Sequence, residues 1–433
     1  MSLSINAVTT DAVNNSYGRK IVIIGSFFFI FGFITWINGT LIPYLQIACE
    51  LEEWQAYLVT FAFYISYTVM ALPSGKLLQR TGMVKGMSVG LVIMALGCLV
   101  FIPAALTRMY ALFLFGLFFV GTGLTVLQSA VNPYITLLGP ERSAAKRISI
   151  MGICNKVAGI LAPLVVGSII LKNSDGLIAE LARLAPPEKT ARLNELSRTV
   201  ILPYICLAII LFVIAIAIRY AHLPEINVVE KSEDHTKALS ETPPAVRNQF
   251  ILGFMAIFCC VGAEVLAGDT IGNYGLYHGL GLDTAKSLTS YTLAGMMIGY
   301  ICGVAGIPKI ISQQKAFYYS SLLGLLITLL IIFVPGKASI VCLAVLGFAN
   351  ALLWPAIWPQ ALQGLKGKQL NKGSAILIMG IAGGALLPLG YGWIAKYFNN
   401  QNAYWILFPV YLYLFYYSAI GKSQKNIDPA KKG

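Results

Sequence analysis

The sequence predicts an all-α membrane protein: twelve transmembrane helices arranged as two six-helix halves. Three observations predict it. Apolar residues make up 57% of the 433-residue chain and charged residues 11%, with mean hydropathy +0.74. Soluble domains carry about 45–50% apolar and about 25% charged residues, so this chain is built to face lipid. The apolar residues fall into twelve stretches, approximately 21–46, 54–79, 85–106, 109–138, 147–171, 199–222, 249–278, 286–308, 315–334, 338–363, 373–397 and 402–421. Each suits a bilayer core about 30 Å thick, which takes roughly 20 residues of helix. A charged, Pro-containing segment, 224–247, lies between the sixth and seventh stretches. It separates an N-terminal six-helix bundle (1–223) from a C-terminal one (248–433).

Each element has its own justification. The apolar runs lack period-two alternation and are too long for barrel strands. The net charge of +13 would suggest nucleic acid on a soluble protein; here it follows from the sorting of Lys and Arg to cytoplasmic loops. With the N-terminus inside, 21 of the 31 Lys and Arg fall on cytoplasmic segments and 9 outside, with Lys156 left within a span. Both termini are therefore expected in the cytoplasm. Residues 172–198 read as a short amphipathic helix outside, with Leu177, Ile178, Leu181 and Leu184, broken by Pro186-Pro187. Residues 1–20 are polar with no apolar core, so no cleavable signal peptide is expected. The eight Cys show no metal or disulfide spacing and read as small apolar packing residues. The halves also resemble each other: Arg147–Gly167 and Lys372–Gly392 align without a gap at an offset of 225, pairing Gly159 with Gly384, Pro163 with Pro388 and Gly167 with Gly392. Internal repeats of this kind underlie alternating access in many secondary transporters.

Twelve spans in 6+6 halves with a cytoplasmic linker fit the major facilitator fold. Several strings also resemble the fucose/galactose/glucose:cation symporter family of that superfamily. They are Phe31-Gly32-Phe33-Ile34 and Leu41-Ile42-Pro43 in span 1, and Leu127-Gln128-Ser129-Ala130-Val131-Asn132-Pro133-Tyr134 with Leu137-Leu138-Gly139-Pro140-Glu141 in span 4. Gly262-Ala263-Glu264-Val265 and Asn273-Tyr274 follow in span 7, then Pro355-Ala356-Ile357-Trp358-Pro359, Lys372-Gly373-Ser374-Ala375 and Gly383-Gly384-Ala385 in spans 10 and 11. Gln128 and the string Gly152-Ile153-Cys154-Asn155-Lys156 are similar to the glucose/galactose and N-acetylglucosamine branch. The resemblance implies a sugar carrier. Proton-coupled fucose carriers place an Asp in span 1 and a Glu in span 4; the matching positions here are Gly39 and Gln128, neither titratable.

A sugar site needs neutral amides and hydroxyls for the hydroxyl edges and an aromatic plane for the C–H faces. Gln128 and Asn132, four apart, share a helix face. Amides in lipid are costly unless paired or turned to a wet cavity. Asn38 is expected to face that cavity, with Trp36 turned nearly the opposite way; Asn155 joins the set from the family string. Asn350, Trp354 and Trp358 form an i, i+4, i+8 stripe, an expected aromatic platform on a span that Pro355 and Pro359 would bend. Lys156 lies nine residues past Arg147, about 13 Å along the helix, and at that depth is expected to face the cavity and pair with an acid. The acids well inside a span are Glu264 and Asp269, about 140° apart on a regular helix. Glu264 is a candidate sugar ligand or coupling residue, Asp269 a coupling residue, and Asn273, on the face of Asp269, a sugar ligand. The competing reading throughout is structural: interhelical hydrogen bonds, a structural ion pair, a helix-break cap, or an interfacial aromatic belt. The loop Gly75–Lys85 resembles the superfamily's cytoplasmic gate.

The sequence therefore predicts a monomeric, multi-pass transporter of a bacterial inner membrane that imports a hexose or N-acetylhexosamine. Its partners are expected to be the sugar and membrane lipid, with no nucleic acid and no cofactor. The coupling ion is expected to be Na+ ahead of H+, because the usual pair of acids is absent. A facilitative uniporter, in which Lys156 replaces the ion, and a multidrug or lipid exporter of the same fold are the alternatives. No G-x-x-x-x-G-K-[ST] or H-E-x-x-H occurs, and His222, His235 and His278 all sit at loops or span ends, which argues against an ATPase or an intramembrane enzyme.

Overall fold

The structure, a computed structural model, describes residues 21–137, 144–172, 175–220, 243–307, 309–365 and 368–425. Among these, twelve helices are long and apolar enough to cross a membrane. In chain order spans 1–6 are Ile21–Ala48, Glu53–Thr81, Met83–Thr107, Tyr110–Asn132, Ile150–Ile170 and Pro186–Tyr220. Spans 7–12 are Pro244–Asp269, Leu282–Gly306, Gln313–Phe333, Lys337–Ala361, Gly373–Tyr397 and Asn402–Ile420. Hydrocarbon offers the backbone no partner, so each segment satisfies its own N–H and C=O groups as helix. An even number of spans puts the linker and both ends of the described chain on one side; the opposite side is called here the far end.

Three local features refine the sequence reading. Pro186 does not simply break the amphipathic segment. Leu177–Arg183 is a helix, and Pro186 opens a second one, Pro186–Arg198, that leads into span 6. Pro at the first helical position loses no intrahelical bond, and Glu188 and Arg198 complement the helix ends. Tyr44 Oη in span 1 donates to the terminal carbonyls of Leu196 and Ser197, each at 2.9 Å. At the other boundary, helix Pro244–Asp269 begins inside the expected linker; residues 224–242 of that linker lie outside the described residues. Finally, span 10 is broken before its prolines, not at them. Helix Lys337–Asn350 stops, and Leu353–Ala361 resumes after Ala351 and Leu352. The ring of Pro355 collides with the carbonyl four residues back, that of Ala351, which places the break there.

Small residues let the spans approach closely. A Cβ on Gly97 would lie 2.9 Å from the Gly116 carbonyl and one on Gly90 2.8 Å from that of Gly123, so spans 3 and 4 cross on glycines. Span 4 crosses span 2 at Gly121, against Ser66 and the Phe63 carbonyl; in the other half, span 10 crosses span 8 at Gly347, against the Thr292 carbonyl. The loop at Gly75–Lys85 is a single-residue reversal. Gly82 has φ 78° and ψ 172°, a conformation closed to side chains, and Lys76, Arg80 and Lys85 around it are exposed.

The two halves meet from mid-span to the far end. Ser290 Oγ in span 8 donates to the Ile160 carbonyl in span 5 (2.7 Å), and Thr68 Oγ1 in span 2 to the Met379 carbonyl in span 11 (3.2 Å). Nearer the far end, Thr40 Oγ1 donates to the Lys286 carbonyl and Tyr57 packs edge-on against Tyr391. At the rim, Lys286 Nζ donates to the Leu171 carbonyl at 2.6 Å, and the Asp283 N–H donates to Asp175 Oδ1 at 2.8 Å. Lys396 Nζ meets Glu52 Oε2 at 2.8 Å. The glycines of the repeat sit in this seam. Gly159 of span 5 lies against Trp36 of span 1 and Leu293 of span 8, while Gly384 of span 11 lies against Val265 of span 7 and Tyr64 of span 2. Each takes one neighbour from its own half and one from the other.

Candidate functional site

The centre of the seam is an ion pair. Lys156 Nζ in span 5 lies 2.5 Å from Glu264 Oε1 in span 7, with side chains 6% and 15% exposed. The ammonium also lies 5.0 Å from the ring centroid of Trp36 and 6.0 Å from that of Tyr300. Removing two charges from water is expensive, and the attraction between them repays it only when geometry is good and the remaining positions are satisfied. Here the aromatic faces supply the remaining contacts to the cation. The two partners come from opposite halves, so motion of one half against the other acts directly on this bond. Released from each other, the carboxylate can accept from a ligand hydroxyl and the ammonium can donate to one.

Two sequence-predicted amides lie near this level. Gln128 is half-buried and its Nε2 donates to Tyr67 Oη of span 2 at 3.1 Å. Tyr67 stacks with Tyr64, centroids 6.2 Å apart and planes at 23°, and Tyr64 packs on Gly384 across the seam. Asn155 is half-buried and reaches the Phe28 carbonyl in a long contact of 3.4 Å, where span 1 passes tightly over span 5 at Gly32. Asn132, a turn beyond Gln128 toward the linker side, is exposed and has a bonding partner.

Asp269 and Asn273 lie toward the far end, on either side of a helix break. Helix Pro244–Asp269 ends at Asp269, and Ile271–Tyr277 follows after Thr270. Asp269 is wholly buried; Thr60 Oγ1 of span 2 donates to its Oδ2 at 2.9 Å, and Oδ1 has no partner. Asn273 Nδ2 donates to Gln46 Oε1 of span 1 at 2.8 Å. Asn273 thus closes the seam rather than lining the middle of it.

Three expectations need correction. Asn38 does not face the other half; it is buried in a small pocket lined by Ile34, Ile37, Phe63, Cys98, Leu117 and Tyr204, all N-terminal. Trp36 takes the seam position instead, wedged between Gly159 and Gly268. Only one face of span 1 can point to the seam, and the glycines opposite leave room for an indole there. Asn350 is likewise internal to its half, buried and accepting from Tyr411 Oη at 2.5 Å. The stripe of Asn350, Trp354 and Trp358 is not continuous, because the chain turns at Ala351 and Leu352; the two indoles stack on each other, centroids 5.1 Å apart at 26°. Residues missed by sequence reasoning are Trp36, Tyr64, Tyr67, Tyr300 and Thr60. The signal was available for the tyrosines, since a phenol within a span requires a polar partner.

A model of the Major Facilitator Superfamily matches residues 24–367. The glucose/galactose transporter of Brucella abortus biovar 1 (strain 9-941) is 31% identical over 419 residues, covering 95% of this chain and 96% of the relative. The L-fucose-proton symporter of Escherichia coli (strain K12) is 28% identical over 408 residues, 92% of each chain. Among solved structures, the transporter FucP in its outward conformation superposes with a TM-score of 0.72 at 24% identity, covering 94% of this chain and 99% of that one. A D-xylose-proton symporter superposes with a TM-score of 0.64 at 13% identity, covering 93% and 96%. Twelve spans, a seam between six-helix halves and matches over nearly the full length lead to one assignment: the chain belongs to the Major Facilitator Superfamily.

Proposed function

We propose that this protein imports a hexose or N-acetylhexosamine across a bacterial inner membrane by cation symport and alternating access. The observation that carries the reading is the polar seam at mid-span, where Lys156 and Glu264 bridge the halves beside half-buried Gln128 and Asn155. Relatives named as glucose/galactose transporters along nearly the whole chain support the substrate class. The protein is a transporter, not an enzyme. The excess of Lys and Arg on the linker side supports cytoplasmic termini. On that orientation the far end is the outer end, and the seam closes it. The protein works as a monomer, since one chain supplies both halves.

In this reading Gln128, Asn155 and the Glu264 carboxylate bond sugar hydroxyls, and the Tyr64–Tyr67 stack offers an aromatic face. Trp354 and Trp358 offer a second face; Asn132 lies on the path toward the inner side. The halves rock about this level, and the contacts toward the outer end break when the site opens outward.

The test is uptake of radiolabelled glucose, galactose and N-acetylglucosamine into proteoliposomes. It is run with a sodium gradient alone and then with a pH gradient alone. Saturable uptake of one of these sugars, driven by one gradient, is expected. No saturable uptake of any sugar overturns the reading. One observation favours a second reading, a uniporter: Lys156 already neutralises Glu264, as a bound cation would. Saturable uptake indifferent to both gradients selects it.

A further inference from the structure

We infer that Asp269 is the proton-binding group of the outer seam, so that the outer end closes only over the neutral acid and each closure takes up one proton. The inference rests on the transport reading and deepens it. Asp269 is wholly buried, one carboxyl oxygen held by the Thr60 hydroxyl at 2.9 Å and the other without a partner. Thr60 belongs to span 2 and Asp269 to span 7, so the bond crosses the halves.

The surroundings offer no counter-charge among the described residues. The ionisable groups facing the carboxyl from span 2 are the phenols of Tyr57 and Tyr64, with Glu53 beyond Tyr57. From span 12, Tyr404 is engaged with the Thr270 hydroxyl at 2.7 Å. The cations on neighbouring spans are committed elsewhere: Lys156 to Glu264, Lys286 to Asp283 and the Leu171 carbonyl, Lys396 to Glu52. Span 1 presents Gly39 to this region, the position that resembles the coupling Asp of fucose carriers, and contributes no charge. An ionised carboxylate sealed here would have one hydroxyl donor and, among the described residues, no counter-charge. Such a group takes a proton instead, and an unshared O–H is a far smaller penalty than an unshared charge.

The cycle balances simply. When the outer end opens, Thr60 moves away with span 2, outer water reaches Asp269, and its O–H bond breaks to give the carboxylate and a hydrated proton. When that end closes, a proton from outer water re-forms the O–H bond before the Thr60 contact is made. Closure therefore consumes a proton. Its equilibrium constant falls by up to tenfold for each unit of outer pH over the range in which the exposed acid is ionised and the sealed acid is not.

The test uses sugar counterflow in proteoliposomes, which needs closing and opening but no net gradient, across a series of outer pH values. In the native protein, exchange should fall by up to tenfold per pH unit as outer pH rises. D269N, always neutral, should exchange at a rate independent of outer pH. A flat native profile, or a slope that survives in D269N, overturns the inference. So does a sodium requirement for exchange that D269N removes, because the ligand would then be Na+. A second measurement needs no sugar. Infrared difference spectra of native protein against D269N should contain a carboxylic-acid carbonyl band that shifts in heavy water. Its absence also overturns the inference. If no sugar is carried, the transport reading fails while the infrared band still decides the state of Asp269.

Discussion

Lys156 and Glu264 set the terms at the scale of single residues. Both side chains are nearly out of solvent, so removing one leaves a buried charge, at a cost of about 3–5 kcal/mol. K156A should therefore lower thermal stability and impair sugar exchange, and the double variant K156M/E264Q should recover the stability but not the exchange. Thermal unfolding followed by size-exclusion fluorescence, with counterflow alongside, checks both. If K156A leaves stability, exchange and ion dependence unchanged, the pair has no part in the cycle. The amides separate in the same way. Gln128 is half-buried beside Tyr67, whereas Asn38 is enclosed in its own bundle. Q128A should raise the KM for the sugar roughly two- to tenfold, the equivalent of about 0.5–1.5 kcal/mol for a lost hydrogen bond. N38A should change stability and leave KM alone. A larger KM effect from N38A than from Q128A would reverse these assignments.

The glycines of the repeat carry the argument at the scale of elements. A side chain on Gly392 would collide with the Tyr57 ring and lie 3.1 Å from the Trp54 Cα. Because Tyr57 and Gly392 belong to opposite halves, G392L should hold the outer end apart. The expected result is sugar binding that persists while counterflow is lost. Full counterflow in G392L would mean that the span 2–span 11 contact need not form. The spans and the repeat were legible in the sequence because lipid allows one solution for an apolar backbone, and because glycine and proline recur at fixed offsets. The existence of a Lys156 ion pair was legible too, since an ammonium at that depth demands a partner. The facing of Asn38 and Trp36 was not. Helical period tells which residues oppose each other but not which side meets the other half; that is decided by the glycines of spans 5 and 7, far away in sequence. The bend in span 10 was legible from its prolines, and its place follows from proline geometry. A proline clashes with the turn before it, so Pro355 interrupts the helix at Ala351 rather than at itself.

At the scale of the whole molecule, polar contacts bridge the two halves at the far-end rim, and these differ in kind from Asp269. Glu52 is exposed, and the hydrogen bond from Lys396, with a second from Trp54, holds its carboxyl below the ordinary carboxylate range. A carboxyl held low favours the closed rim at pH above its open-state value, near 4.3, and loses that contribution as pH falls through the closed-state value. Near neutral pH this pair is therefore insensitive to protons, while Asp269 is expected to respond in the opposite sense. The rim pair weakens with salt instead, because mobile ions screen exposed charges. K396A should speed outward opening at low ionic strength, and the difference from the native protein should shrink as salt rises. A cysteine pair across the rim, scored for cross-linking at several salt concentrations, measures this. A K396A difference that is independent of salt would show that the lysine acts by packing.

The indole of Trp36 touches both halves at once. It lies against span 5 at Gly159, against span 7 at Gly268, and under the Lys156 ammonium. Any rocking of the halves changes the polarity and the charge felt by that one chromophore. The protein thus carries an optical gauge of its own conformation, readable without a label. Sugar-induced change in tryptophan emission should be strongly reduced in W36F, leaving the smaller part contributed by Trp354 and Trp358 at the sugar face, while the other five indoles still emit.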